Sequence, residues 1–146
     1  MQYFEDLEIG DVAAFGEYNV TEAEIVAFAE QYDPQPFHTD PDRAHEESIY
    51  GGLIASGWHT TAMTMRLLVD GFLDDIAAHG AKGIDHLRFP RPVTPGDVLS
   101  VRTEVLEKTI ETDTRGLVRV QVETLDDRGE TVCSMIGLLM VERRGD

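Results

Sequence analysis

One short stretch holds an acid, a histidine and two prolines: Tyr32-Asp33-Pro34-Gln35-Pro36-Phe37-His38-Thr39-Asp40. An aspartate is ionised at neutral pH and can hold a water or accept its proton. A histidine, with a reference pKa near ~6.5, exchanges protons in the same range. A little further on, Gly51-Gly52-Leu53-Ile54-Ala55-Ser56-Gly57-Trp58-His59 opens the most apolar helix of the chain. A stiff loop carrying Asp33 and His38, followed by a glycine at a helix start, has the outline of a reaction site. The plain alternative is a capping aspartate at a helix exit and a surface histidine.

The elements around this stretch follow from local signals. Val12 to Val20 reads as a strand, after an N-terminal arm and a Gly10-Asp11 turn. Thr21-Glu22-Ala23-Glu24 is a capping box, and Ile25, Phe28, Ala29 and Tyr32 recur at helical spacing, predicting one buried face. Pro34 pushes Asp33 out of the helical region, so the helix stops near Tyr32. Pro34 and Pro36 each fix a backbone dihedral. Fully extended, the five steps from Asp33 to His38 span about 17 Å, so the two side chains meet only if the loop curls. Asp40-Pro41-Asp42 is an N-cap followed by proline at the first helical position, which predicts a short helix.

A long helix is predicted from Leu53 to about Ile76, apolar on nearly every face and therefore buried. After Gly80 the period becomes strand-like. Ile84 to Phe89 is a strand, Thr94-Pro95-Gly96-Asp97 a tight turn, and Val98 to Thr109 a second strand. Val118, Val120, Val122 and Thr124 alternate with polar residues, and Asp126-Asp127-Arg128-Gly129 is a hairpin loop. Thr131 to Val141 is apolar on both faces, as a central strand or a dimer contact would be. This order predicts an α+β fold in which an antiparallel sheet wraps around one long central helix, the hot-dog architecture.

Composition narrows the function classes. A chain of 146 residues fits one domain, 1–146. No apolar run is long enough for a membrane span. The start has neither a basic region nor an apolar signal core, which makes a cytoplasmic address the default expectation. Cys133 is the one cysteine, so no intrachain disulfide forms. The net charge of −16 repels nucleic acid and anionic membranes. Lys82, Arg88 and Arg91 form a local basic group with only Asp85 among them. They are either a solvated strand edge or a phosphate contact. His38, Asp40 and His45 match no strong metal spacing, and no metal is expected.

The residues resemble the MaoC-like, R-specific enoyl-CoA hydratases, which have the hot-dog fold. Members carry Asp-x-Asn-Pro-x-His and, later, His-Gly-Met or similar. Here the first motif reads Asp33-Pro34-Gln35-Pro36-Phe37-His38 and the second Ser56-Gly57-Trp58. Gln35 stands for the asparagine, and Ser56 for the first histidine. Ile84-Asp85-His86-Leu87-Arg88-Phe89 and Pro92-Val93-Thr94-Pro95-Gly96-Asp97 also look like the family's strand and turn after the helix.

The resemblance implies hydration and dehydration of a 2-enoyl thioester in fatty acid metabolism, with a (3R)-hydroxyacyl product. Asp33 and His38 would share the water and the proton transfers. The Gly57 N–H, at a helix N-terminus, would bind the enolate oxygen; the other reading is that Gly57 permits close helix–sheet packing. Ser56 either hydrogen-bonds the dyad or is a small residue at a helix start. Phe37, Trp58 and Met63 are acyl-pocket candidates or plain core. No cofactor is expected beyond coenzyme A as part of the substrate, with acyl carrier protein as the alternative carrier. A homodimer or higher homo-oligomer is expected. Two other functions compete. A hot-dog thioesterase would want a carboxylate on the central helix, and residues 53–69 contain none. A non-catalytic acyl-thioester-binding module would not need the Asp33/His38 pair.

Overall fold

Alternation along the strands decides which face of the sheet is core. The computed structural model describes residues 1–145. In β3 (Val98–Ile110) the side chains of Leu99, Val101, Thr103 and Val105 are buried, and in β4 (Arg115–Leu125) those of Val118, Val120, Val122 and Thr124. Each buried Val or Leu side chain contributes about 1.5–3 kcal/mol. β5 (Thr131–Glu142) pairs antiparallel with β4, and β2 (Ala78–Arg88) pairs antiparallel with β5. β1 (Val12–Asn19) closes the other edge on β3, so the order is β1-β3-β4-β5-β2. The three last strands are a meander, while β2 crosses to the far edge. The doubly apolar strand β5 is an interior strand.

The helices lie on one side of the sheet. α1 (Glu22–Tyr32) starts at Thr21, whose hydroxyl accepts the Glu24 N–H at 3.2 Å. Glu24 does not complete the expected reciprocal box. Its carboxylate accepts the Tyr18 hydroxyl at 2.6 Å instead. Ile25 and Ala29 are fully buried, but Tyr32, expected on the same face, is exposed at the helix exit. α3 (Pro41–Glu47) begins as predicted, with Asp40 accepting the Arg43 N–H. The supposed N-terminal arm is part of the core: Phe4 and Leu7 are buried, and the Phe4 ring lies against Gly116 of β4.

The central helix is shorter than expected. α4 runs Gly57–Gly71, and residues 53–56 are extended and buried. The Ile54 N–H donates to the Phe37 carbonyl and the Ala55 N–H to that of Val93, which hold this segment out of a helix. Ser56 then caps α4 by accepting the Trp58 N–H at 3.3 Å. At the other end, Gly71 abuts the Phe15 ring and the chain leaves α4 for a 3-10 turn, Leu73–Asp75. Nor is α4 buried all round. Thr60, Met63, Thr64, Leu67 and Leu68 face inwards, whereas Trp58, Met65 and Val69 form an exposed apolar stripe. This is a hot-dog fold. Among the described residues, no helix is long and apolar enough to cross a membrane.

Candidate active site

The exit of α1 delivers Asp33, and a single helical turn delivers His38. The Asp33 N–H still bonds to the Ala29 carbonyl at 2.8 Å, but its backbone (φ −153°, ψ 67°) has left the helix, as the following proline requires. α2 (Pro36–Thr39) then begins with proline at its first position. The His38 and Thr39 N–H groups both donate to the Gln35 carbonyl, at 2.9 and 3.1 Å. This turn supplies the curl and folds the imidazole back, so that His38 Nε2 lies 3.3 Å from Asp33 Oδ2. His38 Nδ1 lies 2.8 Å from the Ile54 carbonyl oxygen. A carbonyl only accepts, so Nδ1 carries a proton; Nε2 then faces Asp33 as a lone pair when the ring is neutral and as a donor when it is protonated. Extended residues 53–56 therefore have a second use: they fix the tautomer.

Two donors hold Asp33. Gln35 Nε2 donates to Oδ1 at 2.7 Å, leaving Oδ2 for His38. Burial pushes the Asp33 carboxyl up, but hydrogen bonds from Gln35 and Ser56, and the charge His38 carries when its ring is protonated, outweigh it. Its pKa is held below the ordinary carboxylate value. Ser56 is fully buried and serves both as the cap of α4 and as a donor to Asp33. Gly57 is the first residue of α4, and among the described residues its N–H has no partner within the chain.

A cleft of about 330 Å³ brings His38 and Gly57 together, with Asp33 and Ser56 behind its walls rather than in them; the walls include Phe37, His38, Ile54, Gly57, Thr60 and Arg91. Phe37 meets His38 edge-on, with ring centroids 4.5 Å apart. Arg91 stands at the rim, 3.5 Å from Glu130. The other basic candidates do not join it. Lys82 pairs with Glu111, and the Arg88 guanidinium folds onto the Leu87 carbonyl. Six residues of strand put these two about 20 Å apart, so the basic group is not a cluster. Trp58 is 65% exposed and outside the cleft, because it projects from the outer face of α4. Met63 is buried core, away from the cleft walls.

Sequence reasoning missed most of the wall residues, Tyr50, Thr60 and Phe89 among them. Thr60 was findable, one turn after Gly57 on the same helix. Phe89 was not: its ring covers Gly57 so closely that a Cβ there would stand 2.7 Å from Phe89 Cε2. His59 is also buried, stacked on Phe28 at 4.7 Å, and among the described residues its Nδ1 has no partner; burial pushes its pKa below the ordinary histidine value. Asp40 is occupied as a cap and His45 bonds to the Gly51 carbonyl, and among the described residues no trio of metal-binding side chains gathers.

The MaoC like domain family matches residues 6–127. The chain belongs to this family. A MaoC-like dehydratase from Rhodospirillum rubrum is 42% identical and superposes with a TM-score of 0.92, each chain covering the other in full. An uncharacterised Bacillus subtilis protein, YdeM, is 31% identical over 125 residues, 85% of this chain and 87% of that one. An R-hydratase from Pseudomonas aeruginosa, in its unliganded form, is 28% identical with a TM-score of 0.76, over 95% of this chain and 84% of its own.

Proposed function

We propose that this MaoC-like protein reversibly hydrates a 2-enoyl thioester to a (3R)-hydroxyacyl thioester. The observation that carries the reading is the pairing of Asp33 Oδ2 and His38 Nε2, 3.3 Å apart, with His38 and Gly57 lining one cleft. With Nδ1 protonated, both facing atoms are acceptors, and a water can donate one hydrogen to each. Its lone pairs are then free to attack the β-carbon. One proton passes from the water to the pair and one from the pair to the α-carbon, so the dyad ends as it began. The Gly57 N–H, aided by the positive end of α4, is placed to receive the enolate oxygen.

The carrier is coenzyme A on this reading. The −16 net charge disfavours docking of an acidic carrier protein, and Arg91 offers a cation at the rim. A homodimer belongs to the same proposal. β2 leaves one edge unpaired in the chain, and exposed Ile84, Met65 and Val69 flank an apolar cavity beside it. The thioesterase alternative lacks its carboxylate: the only acid in α4 is Asp70, exposed at the far end and bonded to Arg66.

The test is to mix the protein with trans-2-enoyl-CoAs and follow loss of the conjugated thioester, release of free thiol and product chirality. Hydration without thiol release is expected. Thiol release without hydration would replace this reading with the thioesterase, and no reaction at all with a binding module.

A further inference from the structure

The cleft is not the largest apolar space beside α4. A second cavity of about 400 Å³ lies nearer the C-terminal end of the helix, with Met65, Leu68, Phe72, Val122, Met135 and Leu139 among its walls. Its wall residues and those of the catalytic cleft do not overlap. What stands between them is a buried polar layer.

The topology fixes the position of this layer. Along α4 the cleft ends at Thr60 and the cavity begins at Met65, with Thr64 between. Along β5 the cleft ends at Val132 and the cavity begins at Met135, with Cys133 between. On β4, Thr124 pairs with Cys133 and Val122 with Met135, so Thr124 occupies the same level. Thr64, Thr124 and Cys133 are all completely buried. The Thr64 hydroxyl donates to the Thr60 carbonyl at 2.9 Å, so the 2.6 Å bond between the two threonine hydroxyls is donated by Thr124. The Cys133 thiol lies within hydrogen-bonding reach of Thr61, Thr64 and Thr124.

We propose that the Thr64–Thr124 pair is the floor of the acyl site and restricts this protein to short-chain enoyl thioesters. The inference rests on reading the cleft as an enoyl-thioester site. The 2.6 Å bond locks the two fully buried side chains against each other, and their packed volume closes the way from the cleft to the cavity. From Gly57 to Thr64 the helix rises about 10 Å. With a carbonyl at Gly57 and a van der Waals gap at the threonines, that leaves room for an acyl chain of about six carbons. Beyond the floor the apolar cavity would welcome a longer chain, so the barrier is the layer itself.

The experiment compares the wild type with Thr64→Ala/Thr124→Ala, which removes both partners and leaves no hydroxyl stranded. Enoyl-CoAs of four, six, eight and twelve carbons are assayed for kcat/KM, and the saturated acyl-CoAs are titrated by calorimetry. The wild type is expected to lose at least about tenfold in kcat/KM between six and eight carbons, and the double variant to regain it. Thr64→Val/Thr124→Val keeps the volume filled and is expected to keep the wild-type cut-off. Should the alanine pair not fold, Thr124→Ala alone is expected to shift the profile in the same direction. A wild type as active on twelve carbons as on four overturns the proposal. So does a folded alanine pair with the wild-type profile, or a valine pair that shifts equally. If no thioester is hydrated, the proposed reaction fails. The calorimetry then decides the floor by itself, since a cut-off in acyl-CoA binding supports it and a flat profile overturns it.

Discussion

Asp33 Oδ2 and His38 Nε2 face each other at 3.3 Å, and in the neutral form of the ring they do so as two acceptors, because the Ile54 carbonyl takes the proton on Nδ1. Such a pair is favourable only with a donor between its members or a second proton on the ring. Both conditions describe states of a hydration cycle: a bound water before attack, and an imidazolium beside a carboxylate after it. Replacing either member is therefore expected to cost about 10²–10⁴-fold in kcat/KM. Asp33→Asn and His38→Gln are the variants to measure, with thermal melting to show that the fold is kept. Full activity in both would remove the dyad from the mechanism.

Gln35 should set the acid limb of the pH–rate profile. Its amide holds Asp33 Oδ1 at 2.7 Å and helps keep the carboxyl below its ordinary pKa, so the ionised form persists further into acid. Gln35→Leu removes that donor and lets burial act with less opposition. The Asp33 pKa then rises, and activity should fail at a higher pH than in the wild type. A profile of kcat/KM against pH that superposes on the wild type would show that Gln35 does not control the charge of Asp33.

The signals that could be read from sequence were those complete within a few residues. The Thr21 cap, the Pro34 stop, the Asp40-Pro41 start and the Thr94-Pro95-Gly96-Asp97 turn each depend on neighbours in the chain, and each is where it was expected. Strand alternation in β3 and β4 gave the core face correctly. The start of α4 was not legible, because Leu53-Ile54-Ala55-Ser56 is apolar without a period. Only bonds to Phe37 and Val93 make it extended. Tyr32 was placed inward by its helical spacing and Trp58 by its apolar character, and both are exposed. Lys82, Arg88 and Arg91 looked like one group because sequence distance does not reveal that a strand runs straight.

His59 should make stability fall in mild acid. Burial lowers its pKa, Glu24 only partly opposes this, and Nδ1 has no partner among the described residues. The unfolded chain takes up a proton near pH ~6.5, while the folded one refuses it until lower pH. Its contribution is thus complete above the unfolded pKa and is lost as pH falls from there towards the folded value, at up to about 1.4 kcal/mol per pH unit. His59→Leu cannot titrate, so the drop in melting temperature between pH 7.5 and 5.5 should be smaller in that variant than in the wild type. Equal drops would assign the acid sensitivity to other groups.

On the proposed function Gly57 meets two demands, room for the Phe89 ring at its Cα and a free N–H for the enolate oxygen, and a double variant separates the two. An alanine Cβ at Gly57 would meet Phe89 Cε2 at 2.7 Å and Cζ at 2.9 Å, closer than side chains tolerate. Gly57→Ala should therefore lower both the melting temperature and kcat/KM, although its backbone N–H survives. Phe89→Ala opens the space above it, and by itself should cost little activity, since the dyad and the N–H remain. Adding Phe89→Ala to Gly57→Ala should recover the stability lost to the clash. It should not recover activity, because the new methyl still crowds the approach of a thioester carbonyl to the N–H. A deficit of about tenfold or more against Phe89→Ala alone is expected, and the loss of one oxyanion donor costs about 10²–10³. If activity returns fully along with stability, Gly57 is needed only to seat Phe89, and the enolate oxygen is held elsewhere.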